Sequence, residues 1–130
     1  MTKFNLLKRV SIILVSGLLF VQCANDDDDI VSVKEISFAT DIQPLLAASC
    51  TSCHSSDEET VTNFTVEGGI AYEGLLSEIG GVTPGNADTS VLMDRLNGIG
   101  TAQQMPTSSL LSVEEIKLFE QWITQGAKNN

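Results

Sequence analysis

Cys50-Thr51-Ser52-Cys53-His54 decides how this chain of 130 residues is read. Two thiols spaced by two residues can add to the two vinyl groups of one haem, and the histidine beside them is then placed to bind the iron. The chain has three cysteines and one histidine, and three of those four residues stand inside this five-residue stretch. Other uses of the pair fit less well. A zinc site needs a fourth good ligand and usually a second Cys or His pair, and the chain offers neither. A thioredoxin-like pair opens a helix in a strand–helix–strand unit, whereas Cys50 and Cys53 follow a helical pattern and precede a loop. A structural disulfide in an oxidising compartment is the remaining alternative.

Working outward from the motif, short amphipathic segments separated by Gly, Pro, Ser and Thr clusters replace any long alternating strand, so the domain reads as mostly helical. Asp41 is expected to cap a first helix that tolerates Pro44 in its first turn and turns Ile42, Leu45 and Leu46 inward up to Cys50. A second helix is expected from Ile70 to Ile79, stopped by Gly80-Gly81. A third begins after Asp88 or Thr89 and carries Val91, Leu92, Met93 and Leu96 to Gly98, following the Pro84-Gly85-Asn86 turn. In the last, Ser112-Val113-Glu114-Glu115 forms a capping box, Val113, Ile116, Phe119 and Ile123 share a face, and Gly126 closes the helix. Between the motif and the second helix, Phe64-Thr65-Val66 reads as a short extended segment under the haem edge.

The sixth position on the iron decides what it can do. With His54 the only histidine, two histidines from one chain cannot share the iron, and methionine is the leading alternative. Met105 precedes Pro106, which disfavours helix, and polar Gln103, Gln104, Thr107 and Ser108 surround it. It has no helix face to fill and is the expected ligand. Met93 lies among Val91, Leu92 and Leu96, where an unbranched thioether ordinarily fills a core; it is the second candidate, and an open sixth position the third. Arg95 is a candidate partner for a haem propionate or a solvated charge. Trp122 is expected to pack against the haem or the first helix, its indole N–H being a candidate donor to a propionate. Pro84 is a candidate to present a carbonyl to the ligand histidine.

The N-terminus reads as an address. Lys3, Lys8 and Arg9 precede an apolar run over residues 10–21, which suits an export signal and is short for a bilayer span. Leu19-Phe20-Val21-Gln22-Cys23 resembles the lipobox of bacterial lipoproteins, whose cysteine is acylated and becomes the mature N-terminus, although Gln22 stands where that family prefers a small residue. A plain signal peptide cut near Ala24 is the alternative. Asn25 and the run Asp26 to Asp29 follow, a solvated tether; an acidic run in this place also resembles the surface-export signal of Bacteroidetes lipoproteins. Counted from Cys23, four basic residues stand against 17 acidic ones, a formal balance of −13. That argues against nucleic acid as a partner and suits either solubility or a basic redox partner.

Phe38-x-x-Asp41-Ile42-x-Pro44-Leu45-Leu46 before the Cys-x-x-Cys-His motif is followed, after it, by Met105-Pro106, Leu111-Ser112-x-Glu114-Glu115-Ile116 and Trp122-Ile123-x-x-Gly126-Ala127. Together these resemble the planctomycete-type mono-haem cytochrome c domains. The resemblance spans residues 38–128 and implies an all-α, cytochrome c-like fold wrapped around one covalent haem c, with Met105 as distal ligand. Ser55 stands where many members have glycine.

The expectation is therefore a lipoprotein-type signal over residues 1–22, an acidic tether over 23–37 with Cys23 lipidated, and a cytochrome domain over 38–128. Cys50 and Cys53 bind the haem, His54 and Met105 bind its iron, and the protein is a one-electron carrier rather than an enzyme. It is expected to be exported and lipid-anchored to the bacterial outer membrane, on the periplasmic or the cell-surface side, and to meet a redox partner protein. A haem enzyme or gas-binding sensor with an open or displaceable sixth position is the alternative.

Overall fold

The computed structural model describes residues 33–56 and 64–130. The expected export signal, Cys23, the aspartate run and Asp57-Glu58-Glu59 lie outside the described residues. Among those described, the chain is helical with no strand, an all-α arrangement, and no helix is long and apolar enough to cross a membrane.

The chain enters its first helix through a π-helical turn, Phe38–Ile42, that runs directly into α1, Gln43–Ser49. Ser37, not Asp41, is the N-cap: its side chain accepts from the Thr40 amide at 3.4 Å. Asp41 instead reaches back to accept from the Ser37 amide at 2.9 Å, so two otherwise orphaned donors of the first turn are satisfied reciprocally. That amide, and then Lys34 at 2.9 Å, hold the Asp41 carboxyl below its ordinary pKa. Pro44 sits in the first turn of α1, just where the π-helical turn passes into the α-helix. Ile42 and Leu46 are buried and Leu45 is half-buried.

A 3₁₀ turn, Gly68–Ile70, leads into α2, Ala71–Leu76, which is shorter than the sequence suggests. Ser77 stops it: its backbone turns extended, its hydroxyl donates to the Gly74 carbonyl at 2.6 Å, and the Gly80 amide donates to that hydroxyl at 3.1 Å. Ile79 is accordingly left exposed rather than on a buried face, as is Ile70, while Leu75 is buried. α3, Val91–Asn97, ends on Gly98, whose φ of 64° is the left-handed cap that glycine adopts without a Cβ clash. Its N-cap, Ser90, is buried with its hydroxyl donating to the Asn86 carbonyl at 2.8 Å and accepting from the Thr83 amide at 2.9 Å.

α4, Val113–Thr124, has the expected capping box, with Ser112 and Glu115 exchanging bonds of 2.8 and 3.2 Å. It packs on α3 and on the π-helical turn. Phe119, Trp122 and Ile123 are buried, but Val113 is 74% exposed, because the first residue of the helix lies beyond the edge of the core. Trp122 is fully buried beside Phe38, ring centroids 5.5 Å apart, and Tyr72 at 6.4 Å. Its indole N–H donates to the Lys128 carbonyl at 2.9 Å, and the Tyr72 hydroxyl donates to the Ala127 carbonyl at 3.0 Å, so the aromatic cluster fixes the chain that leaves α4. Trp122→Ala is expected to cost about 3–5 kcal/mol, the range for emptying a buried aromatic site. A urea midpoint within error of the unsubstituted protein would contradict this packing role.

The compact unit runs from Lys34 to Asn130. Ile36, at 3% exposure, belongs to the core, so the last residues of the stretch read as tether pack with the helices. Gln125 holds them there: its side chain accepts from the Ile36 amide at 2.8 Å and donates to the Lys34 carbonyl at 3.0 Å. The Asn130 side chain accepts from the Phe38 amide at 2.9 Å, and its backbone carbonyl from the Ala39 amide at 2.9 Å.

Candidate haem-attachment site

α1 delivers the motif. The Cys50 amide donates to Leu46 O at 2.9 Å, and the Thr51 hydroxyl donates to Ala47 O at 2.8 Å, which closes the last turn of the helix. The Cys50 carbonyl then accepts from the amides of Cys53 at 3.1 Å and His54 at 2.9 Å, so Cys50, Cys53 and His54 share one further turn. Both thiols are free. Cys53 is exposed and Cys50 half-buried, and burial, with a smaller contribution from the neighbouring Cys53, pushes the Cys50 thiol up to about 11. A thiol of that kind is protonated at neutral pH, the opposite of what an attacking thioredoxin-like cysteine needs. Among the described residues, no three of His, Cys, Asp and Glu converge on a common point that could hold a metal ion.

His54 is oriented by residues further along the chain. The Phe64–Val66 segment returns beneath it: the Val66 amide donates to the His54 carbonyl at 2.9 Å, and the Phe64 ring meets the imidazole edge-on with centroids 5.2 Å apart. Nδ1 lies 3.4 Å from the Phe64 carbonyl, a long contact. A carbonyl can only accept, so a hydrogen bond here places a proton on Nδ1 and leaves Nε2 as the nitrogen through which the ring would bind a metal. Phe64 thus takes the role suggested for Pro84. Pro84 is exposed, in a turn held to the end of α4 by the Gly85 amide, which donates to Ile123 O at 2.8 Å. Glu67 ties the Phe64–Val66 segment back to Ser56, two residues after His54. One of its oxygens accepts from the Ser56 amide at 3.1 Å and the Ser56 hydroxyl at 2.9 Å, and those bonds hold its carboxyl below the ordinary value.

The two methionines have different surroundings. Met93 is 7% exposed on α3, inside the core with Leu96. Met105 is half-buried in an irregular segment, its amide donating to Arg95 O at 2.8 Å, and the Met105-Pro106 bond is cis. The Arg95 guanidinium donates to the Gln103 carbonyl at 3.4 Å, within the same segment.

The donor set fits a covalently attached haem. Two thiols free of any disulfide and an imidazole share one turn, and a carbonyl lies 3.4 Å from the imidazole Nδ1. Leu45, Phe64, Leu76, Leu92 and Leu111 are apolar side chains packed against the core and only partly covered. The chain matches no family model, no curated protein and no solved structure. Sequence reasoning passed over the Phe64 carbonyl and Glu67, since the first acts through its backbone and the second through a tie to Ser56, 11 residues away.

Proposed function

We propose that this chain is a mono-haem c-type cytochrome that carries single electrons, resembling the planctomycete-type domains. Its haem is wrapped by the helical fold, attached through Cys50 and Cys53, with iron ligated by His54 and Met105. The contact between His54 Nδ1 and the Phe64 carbonyl, on the turn that bears both thiols, carries the reading. When bound there, the haem supplies a one-electron iron couple. The chain's own residues do the rest: the Phe64 carbonyl keeps the proton on Nδ1 and makes Nε2 a better donor, the Val66 amide fixes the backbone of His54, and Met105 offers a soft thioether that favours a positive potential.

The protein in this reading has no substrate and needs no acid, base or nucleophile. Residues 1–22 export it, Cys23 anchors it to the outer membrane, and its acidic balance suits a redox partner with a basic docking face. A spectrum of the reduced, full-length protein made in a cytochrome c-producing bacterium tests the carrier role. Low-spin iron that takes up carbon monoxide slowly supports a carrier. High-spin iron with rapid uptake would replace it with a haem enzyme or gas sensor.

A further inference from the structure

The segment that bears Met105 is pinned to the last turn of α3 at several points. The Met105 amide donates to Arg95 O at 2.8 Å, the Gln104 side chain donates to Leu96 O at 3.2 Å, and the Arg95 guanidinium donates to Gln103 O at 3.4 Å. Helix ends leave carbonyls without intrahelical donors, and here two of those carbonyls, Arg95 O and Leu96 O, are claimed by consecutive residues, Met105 and Gln104. Gln104 can reach Leu96 because it lies across Gly98, where a Cβ would stand 3.1 Å from its amide carbon and oxygen. Gly98 therefore serves twice, as the left-handed cap of α3 and as the bare surface on which Gln104 rests.

We propose that Gln104, laid across Gly98 and bonded to the Leu96 carbonyl, is the positioning residue that holds Met105 as the sixth ligand. The assignment rests on the haem reading above. Gln104 acts only through the adjacent Met105, and its contribution is to keep the methionine from swinging away when a small ligand competes for the iron. The side-chain N–H donor is the part that matters. Glutamate has the same size and shape but presents only acceptors to Leu96 O at neutral pH.

Gln104→Glu and Gln104→Ala in the full-length, haem-loaded protein test this by two readouts: the rate of carbon monoxide uptake by the reduced protein, and hydrogen exchange at the Met105 amide. Both variants are expected to raise both rates about tenfold, the scale of one lost hydrogen bond, with haem content unchanged. Unchanged uptake overturns the assignment even if exchange quickens, because the tie would then serve the fold alone. Faster uptake without faster exchange overturns it as well, since the effect would not run through the Met105 segment. Haem content is measured first, so an unsubstituted chain without covalent haem marks failure of the underlying reading rather than of Gln104 alone.

Discussion

Serine at both Cys50 and Cys53 is expected to abolish covalent haem, leaving the denatured chain with none where the unsubstituted protein retains one. Thioether bonds are the only links that survive denaturation, and Cys50 and Cys53 are the two cysteines of the described residues, both free. Either single serine variant leaves one thiol able to add to one vinyl group, so partial retention is expected there. The effect of the double variant should reach the fold. The compact core is drawn from a chain with five Phe, one Trp and one Tyr, and a large apolar cofactor would extend it, so the double variant should also unfold at lower denaturant. His54→Ala separates attachment from ligation: both thioethers can still form, but the imidazole oriented by Phe64 is gone. Haem staining of a denaturing gel, alongside spectra of the native proteins, checks all three outcomes.

The second large effect is a double dissociation between the methionines. Met105→Ala is expected to convert low-spin iron to a form that binds carbon monoxide rapidly. It should cost little stability, because Met105 is half-buried and lies outside the core cluster. Met93→Ala is expected to do the reverse. Met93 is 7% exposed among packed residues, so truncation should cost about 2–5 kcal/mol while the spectrum stays as it was. Spectra and urea titrations of the two variants, run in parallel, decide between them. A spectral change in the Met93 variant without one in the Met105 variant would transfer the ligand role to Met93.

Much of this architecture is legible in the residues because it is encoded locally. The capping box at Ser112 and Glu115, the spacing of Phe119 and Ile123, and the glycine at the end of α3 each state their structure within a few positions. Where the reading departs from the structure, distant or backbone groups decide. Asp41 has the chemistry of an N-cap, but the π-helical turn starts earlier and gives that place to Ser37. Val113 has the spacing of a core residue, but nothing covers the first residue of α4 enough to bury it. α2 ends early because the Ser77 hydroxyl competes for the Gly74 carbonyl, a bond that apolar periodicity does not register.

The site divides in the same way. Cys50, Cys53 and His54 declare themselves because their residue types are rare and closely spaced. The carbonyl that orients His54 belongs to Phe64, ten residues along the chain, and every residue has a carbonyl. No side-chain pattern could single it out. Met105 was separable from Met93 by their neighbours, and the structure places the two in correspondingly different settings, one in an irregular segment and one in the core.

Whether Cys50-Thr51-Ser52-Cys53-His54 carries one covalent haem is decided by the mass of the protein after denaturation in acid and organic solvent. A chain heavier by one haem, with the added mass located on the peptide that contains Cys50 and Cys53, is the predicted result. A chain at its bare mass, from cells that attach haem to another c-type cytochrome in the same culture, would contradict it.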